Sequence, residues 1–333
     1  MSIEFLNAGV FTTIQDRGRM AYQRFGFHVA GAMDKHSYEL ANALLDNDEN
    51  EACLEFCVMG PMIRFHRDCV IAVTGGNFGP TLNDAPVSMY RALQIKEGDV
   101  LKFGFIQDGV WGYVSIAGGI DVPQVMGSRS TDVKSELGGY QGRKLANGDV
   151  LSLGGHVTQL PHMERRVLEP RQFKQPVTKI RVVLGPQDDH FTYGGISTFL
   201  STEYTVTPQC DRMGYRLEGM AIEHNELGAD IISDGIAYGS IQVPSQGQPI
   251  VLLSDRQTTG GYTKIATVIG PDIPKFVQRK TGEKIVFEAI PVEEAQSLYL
   301  AEFAEYEEIR KKIRGTQSGG LRGFFRRLFG KGA

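Results

Sequence analysis

GSIQVPSQGQPIVLLSDRQTTGGYTKIATVIG, residues 239–270, decides the fold class. It holds three apolar runs, IQVP (241–244), PIVLLSD (249–255) and KIATVIG (264–270), each bounded by Gly, Pro, Ser or Gln. Runs this short and this rich in Val and Ile are strands, because a helix needs about 10–12 residues to bury a face. The same texture continues outward in both directions: CVIAVTG (69–75), PVSMYRALQI (86–95), DVLKFGF (99–105), WGYVSIAGG (111–119), DVLSLGG (149–155), TKIRVVLG (178–185) and EKIVFEAI (283–290). Gly60-Pro61, Gly75-Gly76, Gly79-Pro80, Gly185-Pro186 and Gly270-Pro271 punctuate them. Short strands with frequent turn signals predict a mainly-β barrel or sandwich rather than a parallel α/β sheet.

Two helices interrupt this pattern. Asp34 can cap one that runs to about Leu45, with Tyr38, Ala41, Leu44 and Leu45 as its apolar stripe. The other starts near Pro291 and ends about Arg314, with Glu293 and Glu294 in its first turn and Lys311, Lys312 and Arg314 in its last, as the helix dipole favours. With 333 residues the chain exceeds one ordinary core. It divides into a β-rich subdomain 1–155, a polar, Pro-marked connection 156–178, a second β-rich subdomain 179–290, a helix 291–314 and a tail 315–333. The tail ends in LRGFFRRLFGKGA (321–333), whose aromatics and cations suit weak contact with a membrane surface.

Net charge is -4, which gives no reason to expect nucleic acid. The amino terminus lacks a basic region followed by an apolar stretch, so no secretory signal is read, and four cysteines without a framework pattern fit the cytoplasm. Cys53, Cys57, His66 and Cys69 lie close in sequence. Cys53 and Cys57 belong to an apparent strand, ACLEFCV, which would hold their sulfurs roughly 13 Å apart, too far for one metal. No metal site is assigned.

The chemistry-bearing residues gather in three Asp-Arg segments: Gln15-Asp16-Arg17-Gly18-Arg19, Asp211-Arg212-Met213-Gly214-Tyr215-Arg216, and Asp255-Arg256-Gln257-Thr258-Thr259-Gly260-Gly261-Tyr262-Thr263-Lys264. An Arg fork suits a carboxylate or phosphate, and its Asp neighbour can hold the fork or manage a proton. The same pairs serve equally as pins of tight turns. The third segment carries more Thr, Gln and Gly than a turn needs. Nucleotide and hydrolase signatures are missing: no G-x-x-x-x-G-K-[ST], no G-x-S-x-G and no G-x-G-x-x-G after a strand occurs, and Gly138-Gly139-Tyr140-Gln141-Gly142-Arg143-Lys144 is the nearest approach to a phosphate loop. No Met-Lys biotin-attachment dipeptide is present.

The blocks TTIQDRGR (12–19), GAMD (31–34), LAN (40–42), LEFCVMGP (54–61), AGGIDVPQVMGSRSTD (117–132), LGGYQGRKL (137–145), DRMGYRL (211–217) and residues 239–278 resemble the biotin-dependent carboxyltransferase-like family, which includes the C component of 5-oxoprolinase, KipA and allophanate hydrolase subunit 2. The resemblance spans residues 1 to about 290. It implies two cyclophilin-like β-barrel subdomains and a hetero-oligomer with a KipI-like B component and a LamB/YcsF-like A component. The implied activity is ATP-dependent opening of 5-oxoproline, a small cyclic amide, to glutamate, with ATP bound by or shared with the partners. Biotin enters only under an alternative, carboxyl transfer to urea or a similar amide, and a third reading is a non-catalytic regulator of a KipI-type kinase inhibitor. Such chemistry holds a planar amide, stabilises a negative oxygen and moves a proton. Asp255, Arg256 and Lys264 are the expected catalytic residues. Gln15, Asp16, Arg17, Ser128, Arg129, Asp211, Arg212, Tyr215, Gln242, Gln257, Thr258, Thr259, Gly260 and Tyr262 are the expected substrate-binding ones.

Overall fold

The computed structural model describes residues 2–315, and these described residues are mainly β with four α-helices: α1 (Lys35–Leu44), α2 (Tyr193–Ser201), α3 (Ile273–Val277) and α4 (Val292–Arg314). The basic tail 321–333, and with it the membrane-surface reading, lies outside the described residues. Among the described residues no helix is long and apolar enough to cross a membrane.

The N-terminal half is built from two sheets. One orders its strands Val150–Ser152, Ser2–Asn7, Met62–Phe65, Val100–Lys102, Thr81–Leu82, Ala85–Pro86; the other runs Phe11–Gln15, Cys53–Cys57, Asp108–Ile116, Cys69–Asn77, Ala92–Ile95. Alternation along each strand sends one face inward. Ile3, Phe5, Ile63 and Leu101 from the first sheet therefore meet Ile14, Leu54, Phe56, Ile71 and Val114 from the second in one core. Phe56 packs on Phe78 and Phe103, with ring centroids 4.9 and 4.7 Å away. Gly112 makes room for them, since a Cβ there would stand 2.6 Å from Phe56 and 2.7 Å from Phe78.

Seven strands of the C-terminal half close into a barrel, in the order Val177–Leu184, Lys264–Val268, Ser240–Gln242, Ile250–Leu252, Gly214–Glu218, Tyr204–Cys210, Lys284–Ala289. Its neighbours are antiparallel except for Val177–Leu184 with Lys284–Ala289, a parallel pair in register from Val177 opposite Lys284 to Val182 opposite Ala289. The decisive stretch 239–270 supplies three barrel strands and half of a separate two-stranded ribbon, Asp230–Gly235 with Thr259–Tyr262. Among the described residues the single closed barrel is thus the C-terminal one, while the N-terminal half stays a pair of facing sheets.

The two halves share a core. Ala32, Met33, Tyr38, Cys53, Trp111 and Tyr113 from the first half pack with Ile180, Val206, Ile241, Val251 and Ile265 of the barrel. Gln278 stitches the seam: its Oε1 accepts from the amides of Val110 (2.6 Å) and Trp111 (2.9 Å), and its Nε2 donates to Asp34 (2.8 Å). Asp34 also caps α1, accepting from the Ser37 amide at 2.9 Å. Segment 156–178 is largely irregular, and buried Arg166 holds it by donating to the Leu44 carbonyl (2.8 Å) and to Asp46 (2.5 Å). Helix α4 lies along the first half through Arg310–Glu49 (3.4 Å), Arg314–Asp46 (2.8 Å) and a Tyr306 hydroxyl bond to the Glu39 carbonyl (3.2 Å).

Candidate functional site

The three Asp-Arg segments have different fates. Asp16 is a fully buried pin: its carboxylate accepts from the Gly18 amide (2.8 Å), the Ser128 hydroxyl (2.7 Å), the Arg129 amide (2.6 Å) and the Ser130 hydroxyl (2.5 Å). Gln15 accepts from the Gly31 amide (3.1 Å) and donates to the Thr131 carbonyl (3.1 Å), so it braces the same loops. The side chain of Arg129 approaches Glu51 at 3.7 Å. Arg17 reaches the other way, to Glu39 at 2.7 Å and Glu49 at 3.2 Å.

In the second segment Asp211 accepts from the amides of Met213 (2.7 Å) and Gly214 (3.2 Å), a turn pin near the surface. The Tyr215 hydroxyl is occupied in the core, accepting from Trp111 Nε1 and donating to the Val277 carbonyl, both at 2.9 Å. Buried Arg212 grips Asp255 of the third segment through two bonds (Nε–Oδ2 2.9 Å, Nη2–Oδ1 2.8 Å) and extends Nη1 to Glu55 of the first half. Burial alone would lower the Arg212 pKa; Asp255 and Glu55 reverse this and raise it. Asp255 is therefore occupied as a structural partner.

Arg256 lies beside Tyr238, a residue of the cavity that Arg17 also lines. Arg256, 5% exposed, donates to the carbonyls of Ile236 (3.1 Å) and Leu253 (3.2 Å) and holds its guanidinium 5.5 Å from the Tyr238 ring centroid. Lys35, the first residue of α1, places its ammonium 4.5 Å from the same ring. Desolvation, then Arg256 and Arg17, push the Lys35 pKa down to about 8, against the opposing pull of Glu39. Arg17, Lys35, His36, Glu39 and Tyr238 line a cavity of about 370 Å³, completed by Ile273 and Pro274 and by Tyr299, Glu302, Phe303 and Tyr306 of α4.

Lys264 lies in a second polar group. Its ammonium is 2.9 Å from Asp234 on the ribbon, and its own side chain is buried. Gln242 donates to the Tyr262 carbonyl at 3.5 Å. A Cβ on Gly260 would stand 2.7 Å from Gln242 Nε2 and 3.4 Å from Gln257 Nε2, so that glycine admits both amides. The Thr258 carbonyl accepts from the Ile236 amide at 3.1 Å, and Thr259 and Tyr262 are ribbon residues. Among the described residues no group of three His, Cys, Asp or Glu is placed to hold a metal ion.

Residues 25–289 match the family described as carboxyltransferase domain, subdomain A and B. The chain belongs to this family. The carboxyltransferase-domain chain is 35% identical over 314 residues to the C subunit of 5-oxoprolinase from Haemophilus influenzae, covering 93% of this chain and 98% of that one. It is 36% identical over 295 residues to the C subunit of 5-oxoprolinase from Escherichia coli, covering 88% and 93%. Among solved structures it is similar to the Kluyveromyces lactis urea carboxylase, with a TM-score of 0.86 and 30% identity over 96% of this chain and 30% of that one.

Within this carboxyltransferase-domain protein, sequence reasoning missed Lys35, Tyr238 and Glu55. Glu55 had a signal, a lone carboxylate inside the apolar strand CLEFC. Lys35 had none beyond following the Asp34 cap, because nothing local sets Tyr238 over it. The nearest glycine-rich loop does not fit a phosphate: Arg143 is held by Asp149 at 2.7 and 2.9 Å, and a Cβ on Gly142 would collide with the Glu136 backbone. What the cavity offers is positive charge beside aromatic surface, suited to an anion carrying a ring or acyl body.

Proposed function

We propose that the protein is the C component of an ATP-dependent 5-oxoprolinase, converting 5-oxo-L-proline to L-glutamate in a cytoplasmic complex with a KipI-like B component and a LamB/YcsF-like A component. The observation that carries this reading is the end-to-end match to the Haemophilus influenzae C subunit, 93% of one chain against 98% of the other. The match to urea amidolyase of Lachancea kluyveri covers 92% of this chain but 18% of that protein. Opening the lactam adds water across the amide C–N bond and leaves the ring nitrogen as an amine. Arg256, beside the Tyr238 cavity, and Lys264, in the separate group at the ribbon, are proposed to bind the anionic part of the substrate or transition state. Asp255 acts through Arg212. ATP is proposed to be bound by or shared with the partners; in support, the loop of this chain nearest a phosphate loop is filled by its own residues. Mixing the chain with the A and B components and measuring 5-oxoproline-stimulated ATP hydrolysis tests the proposal; no stimulation from three folded proteins would defeat it.

A second reading, carboxyl transfer from biotin on a separate carrier to urea or a similar amide, draws on the likeness to urea carboxylase. It predicts decarboxylation of carboxybiotin when the amide is added, in the absence of the A and B components.

A further inference from the structure

The cavity beneath α4 holds a lysine ammonium that its own residues leave without a hydrogen bond or ion pair. Among the described residues the Lys35 ammonium makes no hydrogen bond and no ion pair; it lies on the Tyr238 ring and feels the attraction of Glu39 from beyond ion-pair distance. Arg256, close enough to depress the Lys35 pKa, has no carboxylate partner among the described residues, and its Nη2 donates to none of them. The carboxylates at hand are engaged elsewhere: Glu39 with Arg17 at 2.7 Å and Glu302 with His36 at 3.4 Å. A partly desolvated ammonium near a buried guanidinium is unfavourable, and an anion bound against the ammonium in the cavity relieves it.

We propose that this cavity binds a small ring-bearing monocarboxylate, with Lys35 as the residue that reads its charge. The proposal rests on the 5-oxoprolinase reading only in naming 5-oxoproline as first probe. A single negative charge fits because Glu39 and Glu302 also line the cavity and would repel a second. Ile273, Pro274, Tyr299 and Phe303 supply an apolar wall for a ring. The volume, about 370 Å³, is at the lower end of the roughly 300–1,000 Å³ typical of small-molecule sites. Helix α4 contributes Tyr299, Glu302, Phe303 and Tyr306. It follows residues 25–289, the part that matches the family, so this pocket is completed by chain outside the matched domain.

The test is titration calorimetry on the full chain near pH 7 with 5-oxoproline, cyclopentanecarboxylate, neutral 2-pyrrolidinone and inorganic phosphate. The carboxylates should bind at least about tenfold more tightly than 2-pyrrolidinone. That preference should vanish in Lys35→Met and survive in Lys35→Arg. Near pH 9 binding should take up a proton in the wild type, visible as a buffer-dependent heat, but not in Lys35→Met. Absence of any carboxylate binding at millimolar concentration, equal binding by Lys35→Met, or tighter binding of phosphate than of every carboxylate would overturn the proposal. Cyclopentanecarboxylate binding through Lys35 while 5-oxoproline fails would sink the oxoprolinase reading and leave the pocket standing. An assembled, active enzyme whose KM for 5-oxoproline is unchanged by Lys35→Met would sink the pocket and leave the oxoprolinase reading standing.

Discussion

Arg212 and Asp255 meet through two parallel hydrogen bonds of 2.9 and 2.8 Å, and the same guanidinium reaches Glu55 in the other half of the protein. All three residues are buried. This bridge explains why an Asp-Arg pair from one segment and an Asp-Arg pair from another do not form two separate sites: the Arg of the second holds the Asp of the third.

Removing the cation should therefore be a stability defect. Arg212→Met leaves Glu55 and Asp255 buried without their counter-charge, which costs about 3–5 kcal/mol in comparable buried pairs. Denaturant unfolding monitored by circular dichroism measures it, and a loss below about 1 kcal/mol would mean that water replaces the bridge.

The loop around Asp16 makes a second stability prediction. Gly138 has φ +67°, and a Cβ there would collide with the Ser130 carbonyl and stand 2.7 Å from Arg19 Nη2. Gly138→Ala should destabilise by about 1–3 kcal/mol through overpacking and strain. Thermal unfolding reads it, with Gly148→Ala as a comparison, since Gly148 also has positive φ but no atom within 4 Å of the added Cβ.

Catalysis is tested at Arg256 and Lys264. In the assembled enzyme each Ala variant should lose about 2–4 kcal/mol of transition-state stabilisation in kcat/KM while the fold persists. Near-normal turnover in both would leave the segment 255–264 structural. Asp234→Asn, which removes the charge facing Lys264 at 2.9 Å, separates the lysine's contact from its chemistry.

The pH dependence follows from Lys35. Its folded pKa, pushed down to about 8 by desolvation and by Arg256 and Arg17 against Glu39, lies below its ordinary 10.5. Between those values the unfolded chain holds more protons, so this residue's contribution to stability rises with pH through that window. Carboxylate affinity moves the opposite way. It should be flat below about pH 7 and fall by up to about tenfold per pH unit above 8, as the free site loses its proton. Titrations from pH 6 to 10 check this, and a flat profile would remove Lys35 from the binding step.

The four free cysteines should be slow toward thiol reagents. Burial pushes the thiols of Cys53, Cys57 and Cys69 up to about 12 and raises that of Cys210. Because the thiolate is the reactive form, native labelling near pH 8 should be slow at all four, and denaturant should release them together.

Much of the fold was legible in the chain. Short Val- and Ile-rich runs and Gly-Pro punctuation mark strands because backbone sterics and turn chemistry act over a few residues. Asp34 marks the start of α1 and the charge distribution marks both ends of α4 for the same reason: caps and dipoles are local. Residues 239–278 also carry the family likeness in plain sequence. By contrast, the separate parts that the three Asp-Arg segments play were not legible. Sequence gives an Asp the same appearance whether it pins a turn, as Asp16 and Asp211 do, or answers an Arg across the molecule, as Asp255 does.

What the sequence by itself determined is a mainly-β chain of two strand-rich halves with a capped helix in the first and a helix matched to its dipole after the second, since those features depend on neighbours within one turn or one strand. Tertiary structure alone decided that Lys35 and Arg256, 221 positions apart by subtraction of their numbers, share the Tyr238 ring. Charge pairing and desolvation depend on distance and burial in three dimensions, and neither is written in the order of residues.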